Sequence, residues 1–320
     1  MTTSPNTALH IALCVPDYYP RAWLDILRAA MPRAQITQWC SGDAPVAAAD
    51  YALVWQPTQA FIDAHSHVKA LFNLGAGVDG VLKLRLPAHM PLIRLEDCGM
   101  AAQMADYVSY AVLRHVRGFD RYEQPNVPDQ TPLWQPRFAR DPAAYPVGVM
   151  GLGLLGTAVV ARLQSLGLAV SGWSASPKTI VGARCYSGAA ELPDFLAATR
   201  VLTNLLPLTP ATQGILCAAN LRQLQSPAYV INVARGGHLV ESELIPLIDS
   251  GVLAGACLDV FIEEPLPDTH PFWVHPKIMI TPHISAQTLP KPSFAQIADK
   301  IARLEAGLAV SGVVDRARGY

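Results

Sequence analysis

The sequence lacks the charge excess, the paired cysteines and the long apolar runs that mark several classes of protein. Its 320 residues carry 24 Lys and Arg against 25 Asp and Glu, without a basic run, so no field attracts nucleic acid or an anionic membrane. None of its six cysteines stands in a Cys-x-x-Cys pair, which predicts reduced, packed thiols. No apolar run reaches the roughly 18 residues of a membrane span, and residues 1–7 are polar, unlike a signal peptide. We therefore expect a cytoplasmic protein that binds neither membrane nor nucleic acid.

A glycine-rich stretch organises the second half of the chain. An apolar run over 147–150, too short for a helix, enters the pattern Gly-x-Gly-x-x-Gly, and a helical periodicity follows at once. Gly151 can adopt a tight turn, Gly153 leaves no side chain between backbone and ligand, and Gly156 lets the helix lie close to its strand. The unpaired amides at the helix start would face a pyrophosphate. The alternative, an ordinary turn, is disfavoured because a strand precedes the glycines and a helix follows them.

Segments typical of strands and helices alternate along the chain, which predicts an α/β fold of two doubly wound parallel sheets. The predicted strands are 11–15, 51–55, 70–73, 91–94, 147–150, 169–173, 201–204, 228–232, 255–258 and 278–280, and the predicted helices include 21–30, 100–117, 220–224, 241–250 and 294–309. We expect residues 1–104 with 288–320 to form one domain and residues 105–287 the other, the last helix crossing back to the first. Repeated prolines over 118–146 predict an arm or linker, on which Trp134 would serve an interface.

The residues after the second strand of the glycine-rich unit bear on the choice of cofactor. An acidic residue there would accept hydrogen bonds from the adenosine ribose of NAD, but the position holds Ser174. Ser176 and Lys178 follow, so hydroxyls and an ammonium group are present where a 2′-phosphate would lie. These residues favour NADPH, with NAD as the alternative. A further alternative is that the two serines only shape a turn.

Three polar side chains follow apolar strands of the second half, namely Arg235, Glu264 and His283. Because parallel strands end at one edge of a sheet, we expect the three to converge on one edge of a cleft. Arginine binds a carboxylate through two parallel hydrogen bonds, so Arg235 would hold an acidic substrate. Histidine delivers a proton near neutral pH, so His283 would be the acid and Glu264 the partner that orients it. Taken singly, each residue has an equally good structural explanation: a surface ion pair for Arg235, a solvated carboxylate for Glu264 and a hydrogen-bonded core position for His283. Their joint placement at the ends of three strands favours catalysis.

Features of the first half are open to two interpretations. The stretch Leu74-Gly75-Ala76-Gly77-Val78-Asp79 follows a strand, so its amides either bind an anion or form a plain strand-to-helix turn. Trp55 ends another strand and either shapes a substrate pocket or packs in the core. His65 and His67 have no third ligand nearby in the sequence, so we expect a solvated helix end and no metal site.

Together these blocks resemble the D-isomer-specific 2-hydroxyacid dehydrogenase family over nearly the whole chain. The resemblance is also carried by Leu206-Pro207-Leu208-Thr209-Pro210, 232–237, 259–265 and Thr281-Pro282-His283. Within the family the chain is most similar to the glyoxylate/hydroxypyruvate reductase A branch, through 95–100, 173–178 and 314–320. One position departs from that branch, because Ala175 stands where the branch usually has Arg.

The resemblance implies a flavodoxin-like substrate domain, a Rossmann domain that binds NAD(P), and a homodimer formed through the Rossmann domain and the proline-rich arm. It implies NADPH-dependent reduction of a short 2-oxoacid, glyoxylate or hydroxypyruvate, to glycolate or D-glycerate, with Arg235, Glu264 and His283 as catalytic residues. The implied substrate contacts are Trp55, Leu74, Gly75, Ala76 and Gly77. The implied cofactor contacts are Gly151, Gly153, Leu154, Leu155, Gly156, Trp173, Ser174, Ser176, Lys178, Leu206, Pro207, Thr212, Val233, Ala234 and Asp259.

Two alternative functions remain open at this point. An NAD-dependent D-2-hydroxyacid dehydrogenase of other specificity is disfavoured by Ser174 and by the absence of a further domain after Tyr320. A non-catalytic NAD(P) sensor on the same fold belongs to a different class of protein, and fold alone does not decide against it. The Arg, Glu and His side chains favour an enzyme.

Overall fold

Two compact units make up the chain. The computed structural model describes residues 8–16, 21–40, 42–123 and 141–319. The first unit is Met1–Gly99 with Thr288–Tyr320, and the second is Met100–Gln287. The boundary lies after Gly99 rather than after residue 104, because the helix that begins at Met100 runs unbroken to Arg117 and packs on another helix of the second unit.

A five-stranded parallel sheet forms the first unit. Its strands are β1 (His10–Cys14), β2 (Gln35–Gln38), β3 (Tyr51–Val54), β4 (Ala70–Asn73) and β5 (Leu92–Ile93), in the order β2-β1-β3-β4-β5. This is the flavodoxin-like order, which confirms the predicted fold. Its helices are α1 (Arg21–Ala30), α2 (Gln59–Ala64), α3 (Asp79–Leu82) and a closing helix, Pro290–Glu305, which packs on α1.

The second unit contains a seven-stranded parallel sheet in the Rossmann order, as predicted. Its strands are β6 (Val147–Met150), β7 (Val170–Ser174), β8 (Arg184–Ser187), β9 (Val201–Asn204), β10 (Ala228–Asn232), β11 (Leu253–Leu258) and β12 (Ile278–Ile280), in the order β12-β11-β10-β9-β6-β7-β8. Its helices are α4 (Met100–Arg117), α5 (Leu154–Ser165), α6 (Leu192–Ala197), α7 (Ala218–Leu221) and α8 (Glu241–Asp249). The strand order reverses between β6 and β9, and doubly wound sheets bind ligands at such a switch point.

The sequence pattern missed the edge strands β2 and β8. Their sequences, QITQ and RCYS, contain no apolar run, and an apolar run is the signal by which the other strands are predicted. The closing helix begins at Pro290 rather than Phe294, because proline fits the first turn of a helix. The predicted helix 220–224 lies earlier, at Ala218–Leu221. No helix in the described ranges has the length and apolar character needed to cross a membrane.

The proline-rich arm is described only at its two ends. Short 3-10 turns occupy Phe119–Arg121 and Pro142–Ala144. Trp134 lies outside the described residues, so its predicted interface role stays a prediction.

His65 is a packed core side chain, so the predicted solvated helix end is wrong for this residue, whereas His67 is exposed as predicted. His65 follows α2, is 1% exposed and stacks on the Phe61 ring at 4.3 Å. Its Nε2 accepts the Val46 amide at 3.0 Å, so the proton sits on Nδ1, which donates to the Phe61 carbonyl oxygen at 3.0 Å. Burial lowers the pKa of His65, which keeps the ring neutral. Among the residues that the structure describes, no group of three or more His, Cys, Asp or Glu could hold a metal ion.

A largely buried ion pair ties the closing helix to the segment that follows β5. Lys300 Nζ donates to Glu96 Oε2 at 2.9 Å and to the Arg94 carbonyl oxygen at 3.2 Å. The Ser311 hydroxyl donates to the same Glu96 oxygen at 2.5 Å. Burial alone would raise the pKa of Glu96, but the hydrogen bonds from Ser311 and Lys300 outweigh it and hold that pKa below its usual range.

Replacing Lys300 with Ala should destabilise the first unit. The Lys300 and Glu96 side chains are 6% and 31% exposed, and removing one partner of a buried pair costs about 3 kcal/mol. Because the folded state lowers the pKa of Glu96, the contribution is present above the unfolded value, about 4.3, and is lost as pH falls through the folded value. Thermal unfolding at neutral pH measures the loss, with the exposed Lys291→Ala on the same helix as control. Equal melting temperatures for the two variants would contradict the prediction.

Candidate active site

The predicted catalytic residues follow three adjacent strands of the second unit. Strands β10, β11 and β12 are neighbours in the sheet, and Arg235, Glu264 and His283 come after them in that order. Because the strands are parallel, all three side chains belong to loops at the carboxyl edge of one sheet.

The His283 imidazole is hydrogen-bonded to the Glu264 carboxylate. Nδ1 of His283 lies 2.8 Å from Oε2 of Glu264, and Oε1 of Glu264 accepts the Phe261 amide at 2.9 Å. Burial alone would raise the pKa of Glu264, but the hydrogen bonds from His283 and Phe261 and the charge of Arg235 outweigh it and lower that pKa. Glu264 is therefore ionised at neutral pH and accepts the proton on Nδ1, which leaves Nε2 for a ligand. The two side chains are 45% and 36% exposed, so a ligand can reach them.

Gly236 brings the Arg235 turn against the loop that carries Glu264. A Cβ atom on Gly236 would lie 1.9 Å from the backbone carbonyl carbon of Phe261, which leaves no room for a side chain. Glycine is thus required by the close approach of two backbones. Nη1 of Arg235 donates to the Ala234 carbonyl oxygen at 2.6 Å, and the Arg235 charge helps to lower the pKa of Glu264. The guanidinium therefore acts electrostatically on the carboxylate that binds His283.

Asp259 anchors the turn that presents His283. Its buried carboxylate accepts the Ile284 amide on Oδ1 and the Ser285 amide on Oδ2, each at 2.8 Å, and its backbone carbonyl oxygen accepts the His283 amide at 2.8 Å. The φ angle of His283 is +53°, a left-handed conformation that persists in a non-glycine residue only where neighbours enforce it. The structure thus gives Asp259 an anchoring role, and its contact with a cofactor stays a prediction.

Two buried asparagines, not singled out from the sequence, order the loops around Arg235. Asn204 ends β9 and Asn232 ends β10, and Nδ2 of Asn204 donates to Oδ1 of Asn232 at 3.0 Å. Oδ1 of Asn204 accepts the Leu206 amide at 3.2 Å, and Nδ2 of Asn232 donates to the Arg235 carbonyl oxygen at 3.0 Å. The signal in the sequence is a polar residue at the end of each of two wholly buried strands.

The glycine turn after β6 has a geometry that fits a dinucleotide. Gly151 has a φ of +97°, and a Cβ atom on Gly156 would lie 1.8 Å from the Gly151 carbonyl oxygen. Gly153 precedes α5 without a side-chain cap, and nothing lies within 4 Å of where its Cβ atom would be. The first amides of α5 therefore border an open space, as pyrophosphate binding at a helix start requires.

At the end of β7, one predicted phosphate donor is used internally. Ser174 is buried, and its hydroxyl donates to the Ser176 carbonyl oxygen at 2.8 Å, as the turn-forming alternative expects. Trp173 is also buried, with its Nε1 donating to the Gly188 carbonyl oxygen at 2.9 Å. Ser176 and Lys178 are exposed, and they are the predicted side chains that remain available to a phosphate.

The other predicted cofactor positions lie in loops or at a helix start of the second unit. Leu154 and Leu155 begin α5, and the Thr212 hydroxyl closes the loop after β9 by donating to the Pro207 carbonyl oxygen at 2.7 Å. Three further positions are buried, namely Leu206, Val233 and Ala234. Their cofactor contacts stay predictions.

In the first unit, Trp55 packs against the glycine loop that follows β4. A Cβ atom on Gly75 would lie 2.4 Å from Cζ3 of the Trp55 indole. Nδ2 of Asn73, the last residue of β4, donates to the carbonyl oxygens of Gly75 and Gly77, each at 2.9 Å, and so fixes the loop. Burial along the loop decreases from Leu74 and Gly75, which are buried, through Ala76 to the exposed Gly77.

Comparison with protein families and curated proteins identifies relatives over nearly the whole chain. The NAD-binding domain model of the D-isomer specific 2-hydroxyacid dehydrogenases matches residues 110–285. Glyoxylate/hydroxypyruvate reductase A of Yersinia enterocolitica is 44% identical over 318 residues, which are 98% of this chain and 100% of the relative. The enzyme of the same name from Salmonella paratyphi B is 45% identical over 311 residues, which are 95% of this chain and 98% of the relative.

Solved structures agree with this relationship. A D-isomer specific 2-hydroxyacid dehydrogenase from Xanthobacter autotrophicus, in complex with NADPH and MES, has a TM-score of 0.91 at 36% identity and covers 98% of this chain and 100% of its own. The NADPH-dependent glyoxylate/hydroxypyruvate reductase of Sinorhizobium meliloti, in complex with NADP and sulfate, has a TM-score of 0.90 at 34% identity with the same coverage. The chain therefore belongs to the D-isomer-specific 2-hydroxyacid dehydrogenase family.

Proposed function

We propose that the protein reduces a short 2-oxoacid, glyoxylate or hydroxypyruvate, to the 2-hydroxyacid with NADPH as reductant. The observation that carries the proposal is the 2.8 Å hydrogen bond between His283 and an ionised Glu264, beside the Arg235 turn. The names of the curated relatives support the substrate class, and the cofactors bound in the two related structures support NADPH.

The chain's own residues supply the proton and the charge stabilisation for this reaction. NADPH, when bound, supplies a hydride to the carbonyl carbon of the oxoacid. His283 donates a proton from Nε2 to the carbonyl oxygen, because its Nδ1 is bonded to Glu264. Glu264 stabilises the protonated ring and fixes its orientation. Arg235 binds the substrate and offsets the negative charge that develops on oxygen.

Substrate contacts in the first unit are proposed at the loop after β4. The backbone amides of Ala76 and Gly77 would bind the carboxylate, and Gly75 leaves room for the Trp55 ring to pack on the loop. Asn73 supports this assignment because it holds the loop carbonyls and so fixes the backbone path.

Initial rates with glyoxylate, hydroxypyruvate and pyruvate, each with NADPH and with NADH, test the proposed function. We expect NADPH oxidation with the first two acids and a higher kcat/KM for NADPH than for NADH. A preference for NADH would support an NAD-dependent dehydrogenase of other specificity. NADPH binding without oxidation in the presence of any of these acids would support a sensor.

Replacing Glu264 with Gln should lower kcat. The neutral amide keeps a hydrogen-bonding group near His283 but removes the negative charge that stabilises a protonated ring. We expect kcat to fall about tenfold or more near neutral pH. Steady-state rates measure the effect. The exposed Glu263→Gln is the matched control, and equal kcat values for the two variants would refute the role of Glu264.

Lys178 is proposed to bind the 2′-phosphate that distinguishes NADPH from NADH. Lys178→Ala should raise KM for NADPH about tenfold and leave KM for NADH nearly unchanged, because only NADPH carries the charged group. The exposed Lys277→Ala serves as control. A loss of affinity for both cofactors alike would contradict this role.

Two copies of the chain are proposed to associate through the second unit and the proline-rich arm. The protein is also proposed to act in the cytoplasm. Tyr110 in α4 and Phe119 and Tyr122 at the start of this arm are 50%, 47% and 49% exposed, and aromatic side chains are enriched at interfaces. The free cysteines support a reducing compartment. Sedimentation tests the association: we expect a dimer that Tyr110→Asp weakens, and a monomer at all concentrations would reject it.

A further inference from the structure

Helix α4 contacts the segment that carries His283 at two points. Nε2 of Gln103 donates to the Gln287 carbonyl oxygen at 2.9 Å, and Oε1 of Gln103 accepts the Gln287 amide at 3.2 Å. One turn later in the helix, the Tyr107 hydroxyl lies 2.5 Å from Oγ1 of Thr281. Residues four apart share a helix face, so both contacts come from the same face of α4. They bracket His283 from either side along the chain.

The hydrogen bonds that begin at Tyr107 lead through Thr281 to Asp259. The Thr281 hydroxyl donates its single proton to Oδ1 of Asp259 at 2.5 Å. Thr281 must then accept the proton of Tyr107. Burial raises the pKa of Tyr107, so this hydroxyl keeps its proton at neutral pH. The carboxylate at the end of the relay is the one that holds the Ile284 and Ser285 amides.

The left-handed backbone of His283 explains why such a network is needed. A non-glycine residue at a φ of +53° relaxes to another conformation unless its surroundings oppose the change. The bonds to Asp259 hold the turn from the sheet edge to which the turn itself belongs. Helix α4 is an 18-residue element packed on α5, and it supplies an independent fixed point.

We propose that Tyr107 and Gln103 are positioning residues that hold the turn of His283 in its strained conformation, Tyr107 acting through Thr281 and Asp259. The proposal rests on the proposed function, because it assigns these residues to the proton-donating step. Neither residue needs to touch the substrate. A small displacement of a proton donor lowers the rate of the chemical step without weakening substrate binding.

The kinetic test compares Tyr107→Phe with Tyr51→Phe. Each change removes one tyrosine hydroxyl that makes a hydrogen bond, since Tyr51 donates to Oε1 of Glu305 at 2.7 Å within the first unit. For Tyr107→Phe we expect kcat to fall about tenfold with KM for the oxoacid within about twofold of wild type. Tyr51→Phe should leave both constants unchanged. Thr281→Val should behave like Tyr107→Phe, and Thr281→Ser, which keeps the hydroxyl, should restore most of the activity.

A double variant separates a relay from two independent effects. If Tyr107 acts through Thr281, adding Tyr107→Phe to Thr281→Val should lower kcat by less than about twofold further. Multiplication of the two single effects would overturn the relay. Wild-type kcat in Tyr107→Phe, or equal effects of Tyr107→Phe and Tyr51→Phe, would overturn the positioning role.

Amide hydrogen exchange tests the same proposal without turnover. In protein free of cofactor, exchange of the Ile284 and Ser285 amides should accelerate in Tyr107→Phe and in Gln103→Ala, but not in Tyr51→Phe. Unchanged exchange in both α4 variants would overturn the proposal, and Gln103→Ala keeps the test available if Tyr107→Phe folds poorly. A wild-type protein that reduces no 2-oxoacid would reject the proposed function, whereas the exchange result would still decide whether α4 holds the turn.

Discussion

Replacing His283 with Ala or Asn should lower kcat for 2-oxoacid reduction at least about 100-fold, in line with the contribution of a general acid. The expectation follows from the Nδ1 bond to Glu264 at 2.8 Å, which leaves Nε2 as the nitrogen that meets the carbonyl oxygen. Two replacements are needed because His283 has a left-handed backbone. Asparagine tolerates that region better than alanine does, so a loss shared by both variants comes from the missing imidazole rather than from a collapsed turn.

A second histidine of the chain provides the matched control. His275 lies 3.4 Å from a carboxylate oxygen of Asp249 and precedes β12, so its pair sits at the amino edge of the sheet, away from the loops of the candidate site. His275→Ala should leave kcat and KM unchanged, although it also removes a histidine and carboxylate pair. Near-normal turnover in both His283 variants would reject the assignment of the acid.

The parts of the site that could be predicted are those that follow from strand topology and residue chemistry. Parallel strands end at one edge of a sheet, so the order of apolar runs in the sequence was enough to group Arg235, Glu264 and His283. The glycine turn was equally accessible, because a tight turn requires Gly151, a close backbone approach requires Gly156, and Gly153 leaves the start of α5 open. The hydrogen bond between Glu264 and His283 is present in the structure.

The parts that could not be predicted depend on partners that are distant in the sequence. Tyr107 meets Thr281 across 174 positions, and no local pattern marks either residue. Gly236 is required by the backbone of Phe261, which only the folded loops bring to it. The direction in which a hydroxyl donates cannot be predicted from the sequence either. The Ser174 hydroxyl donates to the Ser176 carbonyl oxygen, whereas its position at the end of β7 predicted a contact with the 2′-phosphate. The sequence shows which side chains are able to donate or accept protons. Only the folded structure shows which of these groups are already hydrogen-bonded within the protein.

Arg235→Ala should raise KM for the oxoacid and lower kcat, reducing kcat/KM by about 100-fold or more. A hydrogen bond to a charged group contributes about 1.5–3 kcal/mol, and the guanidinium is proposed to act on both the bound acid and the charge that develops on its oxygen. Arg235→Lys should recover only part of the loss, because a single ammonium cannot form the two parallel bonds of the planar fork. Steady-state rates at saturating NADPH separate the two constants, with the exposed Arg222→Ala as control.

The loss of the Arg235 charge also has a consequence for Glu264. The pKa of Glu264 is lowered in part by that charge, so the carboxylate should protonate at higher pH in Arg235→Ala than in the wild type, and the acid limb of kcat/KM should move upward. Arg235→Lys keeps a positive charge and should show a smaller movement. If KM, kcat and the acid limb of the profile were all unchanged in Arg235→Ala, Arg235 would have no role in the site. The group that binds the substrate beside His283 would then have to be another one.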